Sequence, residues 1–453
     1  MDFKKNTDNK AKEENKSIID NNISENDSII QYKSIKYHYK NPPLIGLINL
    51  GYTDYMNVVL QCFSNIEQLT NYFKYDSYIK QIIKNKPNSF IASYKLIIDK
   101  LWPSNNNHNI LFDKNISFSP NDFSDQIYSS LNPPLFGRDQ ANDAFDLFYS
   151  LILEFHEELN RPNNNNNNNN LGNLIDTKNE QLVFDYYSKK FKNENNSIII
   201  DLFNIMEKEI ITCTNCKIPS INFHYNYYTI FPLEVLKNCK LKELENNNKI
   251  NQKEKEFKIS LLNKNIINIK DCFEQYQRIA INSLKSLICL NCNKKTDADY
   301  QILFHILPQI FIFNLNRGRN FYKGKLIFDE ILDLKDYGKN GGIYELINVI
   351  TYLGKDNSNG HFIAACKSFI DNRWYRYNDA VVSEITNFEK DIVDFGLPYI
   401  LIYKRKNKFY IINKNFIFFY KIKHKARQNL IYLFQNWLFL KQKHHYNDTI
   451  DYQ

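Results

Sequence analysis

Two cysteine pairs carry the plainest chemistry in this 453-residue chain. Cys213-Thr214-Asn215-Cys216 and Cys289-Leu290-Asn291-Cys292 each set two thiols three positions apart, the spacing of a metal-gripping knuckle. Four thiolates close a tetrahedral shell and leave no open position for substrate, so the chemistry predicted here is structural Zn²⁺ binding. One pair would say little, whereas two pairs in one region form a set. Four unliganded core thiols or a redox dithiol are the other readings. The flanking sequence suits strands rather than the strand-to-helix turn at which a redox pair sits. The other four of the eight cysteines are scattered singly, which suits a reducing compartment better than a disulfide framework, so cytosol or nucleus is the expected location.

Such knuckles need strands to hold them. From about Ile198 onward the chain turns to short apolar and aromatic runs, such as Phe223 to Phe231 and Gln301 to Leu315, which predict antiparallel strands. Further strands are predicted at Tyr344–Tyr352, His361–Ser368, Arg373–Tyr377 and Pro398–Lys404. Residues 237–258, charged and Asn-containing, read as an insertion among them. The earlier half has helical spacing instead. Met56, Val59, Leu60, Phe63, Ile66 and Leu69 predict a helix from Thr53 to about Phe73, started by Gly51 with Thr53 or Asp54. A second helix is predicted from about Asn142 to Asn160, with its stripe at Phe145, Phe148, Leu151, Ile152 and Phe155, ending before Pro162. Helices first and strands afterwards predict an α+β architecture rather than alternating βαβ units.

Three segments fall outside this pattern. Residues 1–41 are polar and unpatterned, and read as a disordered leader before a domain at 42–405. The Asn run at 163–170 reads as a surface loop. Residues 406–453 mix Lys, Arg and His with aromatic residues. Apolar spacing from about Ala426 to Leu440 predicts a helix there, either docked on the domain or serving as a basic amphipathic surface for a partner or anionic membrane. The net charge of +8 is modest and mostly interspersed, so no nucleic-acid partner is expected. No apolar run approaches the ~18 residues of a membrane span, and no apolar segment follows Met-Asp-Phe-Lys-Lys-Asn, so no secretory signal is expected.

The segment Gly46-Leu47-Ile48-Asn49-Leu50-Gly51-Tyr52-Thr53-Asp54-Tyr55-Met56-Asn57-Val58-Val59-Leu60-Gln61 resembles the cysteine box of ubiquitin-specific proteases, which usually reads G-L-x-N-L-G-N-T-C-Y-M-N-S-x-L-Q. Asn348-Val349-Ile350-Thr351-Tyr352-Leu353-Gly354 through Gly360-His361-Phe362, and on to Trp374 to Val382 with Asn378-Asp379, resembles the histidine box. Asn142-Asp143-Ala144-Phe145-Asp146-Leu147-Phe148 is similar to the Q-D-A-x-E-F-L helix, and Leu307-Pro308 to Arg317 to the L-P-x-x-L…H-L-K-R strand. The resemblance covers about 43–405, with every box in order. It implies a papain-like fold with a helical thumb, a β-rich palm and fingers tipped by a zinc ribbon, which is where the two cysteine pairs fall. It also implies His361 as general base, Asn378 with Asp379 to orient it, and Asn49 as donor to the oxyanion. Asp143 is implied to pair with an arginine of the ubiquitin tail. Phe362 is implied as an aromatic wall over the tail's glycines, where the family has Tyr.

Three departures matter: Tyr52 for Asn, Asp54 for the nucleophilic Cys, and Val58 for Ser. A carboxylate is a weak nucleophile toward an amide, and its attack would give a high-energy anhydride. At an ordinary pKa near ~3.9, Asp54 should ion-pair with His361 and remove the base as well. A helix N-terminus welcomes that charge, so the fold is expected to keep Asp54 while turnover is lost. Cys62 is eight residues along the same predicted helix, roughly 12 Å away, and Cys366 lies beyond His361 on its strand; both read as inert core thiols. The expected function is a catalytically inactive domain that binds ubiquitin or ubiquitinated proteins. The alternatives are an active deubiquitinating thiol hydrolase, a hydrolase using Asp54, His361 and Asp379 as metal ligands, and an assembly scaffold whose channel is filled by Tyr52.

Overall fold

The computed structural model describes residues 42–406 apart from 104–115, 132–134, 163–178, 248–249, 280–281, 319 and 357–359. The predicted leader, the Asn-rich loop and the C-terminal extension beyond Lys406 lie outside the described residues.

The first half is helical around short strands β1 (Gly46–Leu47) and β2 (Ser117–Phe118): α1 (Asp54–Ser64), α2 (Glu67–Tyr75), α3 (Ser77–Asn85), α4 (Phe90–Leu101), α5 (Asn121–Ser130), α6 (Ala144–Leu159), α7 (Glu180–Glu194) and α8 (Ile198–Phe203). Next come β3 (Ile205–Cys213), β4 (Pro219–Asn226), β5 (Thr229–Pro232), helices α9 (Leu233–Asn246) and α10 (Gln252–Asn263), β6 (Ile266–Asn268), α11 (Ile269–Ile279), β7 (Asn282–Ile288) and β8 (Lys295–Ile306). The described residues finish with β9 (Ile310–Asn316), β10 (Lys325–Ile327), β11 (Ile331–Asp333), β12 (Ile343–Gly354), β13 (Gly360–Lys367), β14 (Trp374–Asn378), β15 (Val381–Ile385) and β16 (Leu397–Arg405). The α+β prediction therefore holds.

Two sheets do most of the work. An eight-stranded sheet runs β15-β14-β13-β12-β16-β9-β5, with β11 paired to β12. Its strands alternate faces, as the pleat requires. Ile310, Ile312, Ile400 and Ile402 point into the core shared with the helical half. Phe311, Phe313, Leu401 and Tyr403 point into a second core with α9 and α11. A four-stranded antiparallel sheet, β4-β3-β8-β7, extends away from this palm.

Three local differences from the predicted elements have physical causes. The helix predicted from Thr53 to Phe73 breaks at Asn65-Ile66. There Ser64 Oγ and Asn65 Nδ2 both donate to the Gln61 carbonyl, at 3.0 and 2.9 Å, and Ile66 takes an extended backbone. The apolar run beginning at Ile198 is helix α8 rather than strand, because Ser197 Oγ accepts from the Ile200 amide and starts it. The charged stretch 237–258 contributes to α9 and α10. Lys240 is held there among Glu243, Asp271 and Glu274, while Leu236, Leu244 and Leu262 enter the second core.

Candidate functional site

Asp54 is the first residue of α1, after a loop made of its own polar contacts. Asn49 Oδ1 accepts from the amides of Gly51 and Thr53 at 3.0 and 3.1 Å, and Thr53 Oγ1 accepts from the Leu50 amide at 2.8 Å. Gly51 at φ +92° supplies the left-handed turn, and Tyr52 follows it at φ +54°. Gly46 is needed for approach: a Cβ there would lie 2.3 Å from the Ala380 carbonyl oxygen. That contact seats the loop against the β14–β15 turn.

His361 is the second residue of β13, which packs across α1. Its Nδ1 lies 3.0 Å from Asp54 Oδ2, and its Nε2 lies 2.7 Å from Asn378 Oδ1 and 3.8 Å from Asp379 Oδ2. The Phe362 amide also donates to Asp54 Oδ2, at 2.8 Å. Asp379, at φ +49°, is held by two side-chain amides: Asn49 Nδ2 reaches Oδ2 at 3.0 Å and Asn57 Nδ2 reaches Oδ1 at 2.8 Å. Asp54, His361, Asn378, Asp379 and Asn49 thus meet although they come from two ends of the domain. Asn49 gives one of its two amide hydrogens to Asp379. The orienting partner Asn57 has no predicted role; its position in the cysteine-box resemblance was the only signal for it.

The Asp54–His361 contact controls both titrations. The hydrogen bond to Asp54 raises His361 to about 9, with burial opposing and the Asn378 bond and the charges of Asp54 and Asp379 assisting. Burial of Asp54 would raise its carboxyl, yet the His361 contact and the Phe362 amide outweigh it, and the value falls below the ordinary one. Near neutral pH the pair is therefore imidazolium and carboxylate. A protonated His361 cannot take a proton, and Asp54 occupies the place from which a nucleophile would attack. Cys62 and Cys366 are fully buried in the core, and burial drives the Cys366 thiol well above its ordinary range.

A cleft of about 430 Å³ opens in front of Asp54. Asp143, Asp146, Asn314, Tyr352, Phe362 and Tyr399 are among its lining residues. Asp143 caps α6, its Oδ1 accepting from the amides of Phe145 and Asp146 at 2.6 and 3.2 Å, while Oδ2 accepts a hydrogen bond from Tyr399. Phe362 is packed between the rings of Tyr352 and Tyr399, with centroids 5.1 and 5.3 Å away. Tyr52 does not line this cleft: its side chain is 59% exposed, so it does not plug the space before Asp54. Tyr352 falls within the histidine-box resemblance, whereas Tyr399 carries no motif of its own and only the sheet brings it here.

The four paired cysteines meet at the end of the four-stranded sheet. Their sulfurs all lie within 4.8 Å of one another, with Cys213–Cys292 at 4.0 Å and Cys216–Cys289 at 3.8 Å. A tetrahedral ion with ~2.3 Å bonds to sulfur needs sulfur–sulfur edges of roughly 3.8 Å, so the set could hold such an ion. Each knuckle closes on a left-handed residue, Lys217 at φ +58° and Asn293 at φ +54°. Donors already face the sulfurs: Cys216 N reaches Cys213 Sγ at 3.4 Å, Asn215 Nδ2 reaches Cys292 Sγ at 3.6 Å, and Asn291 Nδ2 reaches Cys216 Sγ at 3.6 Å. Donors of this kind favour thiolate over thiol.

A thumb of helices, a palm sheet, cysteine-tipped strands and a His361 site facing a cleft define a ubiquitin hydrolase-type domain. The profile of the ubiquitin carboxyl-terminal hydrolase family matches residues 45–403, and the chain belongs to that family. It is similar to ubiquitin carboxyl-terminal hydrolase Usp2 of Drosophila melanogaster, 23% identical over 377 residues, or 81% of this chain and 35% of the relative. It is also similar to ubiquitin carboxyl-terminal hydrolase 4 of Saccharomyces cerevisiae, 25% identical over 394 residues, 80% of this chain and 39% of the relative. The chain thus spans well under half the length of these curated relatives. Among solved structures, a yeast SAGA DUBm with an Sgf73 mutant matches with TM-score 0.54 and 18% identity, over 87% of this chain and 75% of that one. The SAGA DUB module Ubp8/Sgf11/Sus1/Sgf73 bound to monoubiquitin gives TM-score 0.53 and 19% identity, over 84% and 73%.

Proposed function

We propose that this chain is a catalytically inactive ubiquitin-recognition domain, binding ubiquitin or ubiquitinated proteins without cleaving them. The observation that carries this reading is the 3.0 Å pairing of Asp54 with His361 at the head of an open cleft. Hydrolysis by this family's route needs a thiolate and a base able to take a proton. Here the carboxylate replaces the first and, by pairing, occupies the second. Binding needs neither. The acidic, aromatic-walled cleft suits an extended tail that carries arginine, with Asp143 as its partner and Phe362 beneath its glycines. Monoubiquitin is what the related SAGA DUB module holds in its solved structure. The paired cysteines are assigned to a structural Zn²⁺ that ties β3 to β7 and β8, and Asn378 with Asp379 to holding His361. Asn49 is kept as the oxyanion donor of an ancestral thiol site, with the Nδ2 hydrogen that does not bond Asp379 left for that role.

The test is cleavage of a fluorogenic ubiquitin C-terminal amide by the wild type and by Asp54→Cys, with titration of labelled ubiquitin alongside. Silence of the wild type, saturable ubiquitin binding and turnover by the variant are the expected results. Cleavage by the wild type would establish an active hydrolase, and absence of any ubiquitin binding would leave an assembly scaffold.

A further inference from the structure

Resting on the ubiquitin reading above, we infer that the cleft selects tails that end in an amide over tails that end in a free carboxylate, with Asp54 as the residue that sets the preference. The ground is an inventory of hydrogen-bond donors where the cleft meets Asp54. The Nδ1 of His361 faces Asp54, and its Nε2 faces the Asn378 side-chain oxygen. The Phe362 amide is given to Asp54, and Asn49 Nδ2 gives one of its two hydrogens to Asp379. Further along, the Tyr399 hydroxyl is given to Asp143. Among the described lining residues, Arg317 alone carries a permanent positive charge. It donates through Nη1 to the carbonyls of Tyr322 and Gly324 and through Nη2 to that of Pro398, while its buried Nε has no partner among the described residues.

Apart from the unpaired Arg317 Nε, the charged groups described along the cleft accept. Asp54, Asp143 and Asp146 contribute carboxylates, and Asn314, 7% exposed, carries an Oδ1 with no partner. A buried acceptor left unpaired costs free energy that an incoming N–H would recover. An extended peptide supplies such groups, and an amide at its end supplies one more, to Asp54. A terminal carboxylate supplies none and brings a second negative charge against Asp54, where the donors of His361 Nδ1 and the Phe362 amide are already taken by that residue. In a ubiquitin conjugate the terminal carboxyl has become an isopeptide, so the preference sorts attached ubiquitin from the free protein.

Calorimetric titration of the full chain with ubiquitin and with ubiquitin C-terminal amide reads the preference directly. The amide is expected to bind at least tenfold more tightly, equivalent to about 1.4 kcal/mol, and the ratio should shrink below threefold in Asp54→Asn. A ratio that falls on adding salt to the wild type supports the charge contribution without any substitution. Equal affinities in the wild type, or a ratio unchanged in Asp54→Asn, would overturn the inference while leaving ubiquitin recognition standing. Failure of both ligands to bind would remove the ubiquitin reading and this inference with it.

Discussion

The cysteine cluster and the Asp54 site are built alike and have fared differently. Each gathers side chains from segments far apart in the chain: Cys213 with Cys292 in one, Asp54 with His361 in the other. At the fingertip all four ligand atoms are present at metal-binding spacing. At the palm His361 keeps its contacts with Asn378 and Asp379, and a carboxylate stands at position 54 where the family's cysteine box has a thiol. The difference follows from what each atom does for folding. A sulfur in a closed metal shell holds strands together, and losing one opens the shell. A nucleophile holds nothing together, so its replacement is free for stability if the substitute is welcome at a helix start, as Asp54 is.

That contrast can be broken most forcefully at the fingertip. Chelation of zinc, or Cys213→Ser, is expected to cost more than about 4 kcal/mol and to give the β3–β4–β7–β8 region a separate early transition in thermal unfolding monitored by hydrogen exchange. An unchanged profile after chelation would mean that the four thiols pack without metal. A smaller loss is expected where α1 is tied to the palm. Asn348 is fully buried and its Nδ2 donates to the Cys62 carbonyl at 3.0 Å, so Asn348→Ala should cost about 2 kcal/mol in chemical denaturation.

The Asp54 site itself should reveal its pairing through pH. His361 is raised above its unfolded value, so its contribution is complete below about pH 6.5 and lost as pH climbs through about 9. Asp54 is lowered, so its contribution is present above its ordinary pKa and lost as pH falls through the depressed one. The His361 side chain is 34% exposed, and solvent screening limits the effect to about 1 kcal/mol. The melting temperature should therefore fall by about 2 °C more in the wild type than in Asp54→Asn between pH 6.5 and 9.5. Imidazole NMR should show His361 titrating near 9 in the wild type and well below that in Asp54→Asn; equal values would dissolve the pair.

The smallest effect concerns Tyr52. At φ +54° with an exposed side chain, Tyr52→Asn should stabilise the chain by about 0.5 kcal/mol, because asparagine tolerates the left-handed backbone better. A loss of stability instead would mean that the ring makes a contact worth keeping.

Much of this was legible in the residues. The C-x-x-C spacing located the metal-type cluster, and the ordered boxes located Asp54, His361, Asn378 and Asp379 before any coordinates. Short apolar and aromatic runs marked β12, β13, β14 and β16 to within two residues, whereas the run from Gln301 to Leu315 is divided between β8 and β9. Less legible were choices settled by competition for hydrogen bonds. The break at Asn65 depends on two side chains reaching for one carbonyl. Asn49 turns to Asp379, 330 positions away, and Tyr399 to Asp143, 256 positions away, and no local pattern encodes either pairing.

By itself, the sequence determined which atoms exist: four sulfurs at metal spacing, no thiol at position 54, and a histidine box downstream. Only the tertiary structure decided which of those atoms are already spent. Whether Tyr52 blocks the cleft, whether His361 can accept a proton and whether any donor is left for a carboxylate all depend on partners far away in the chain. A hydrogen-bonding group is free or committed according to what folding has placed beside it.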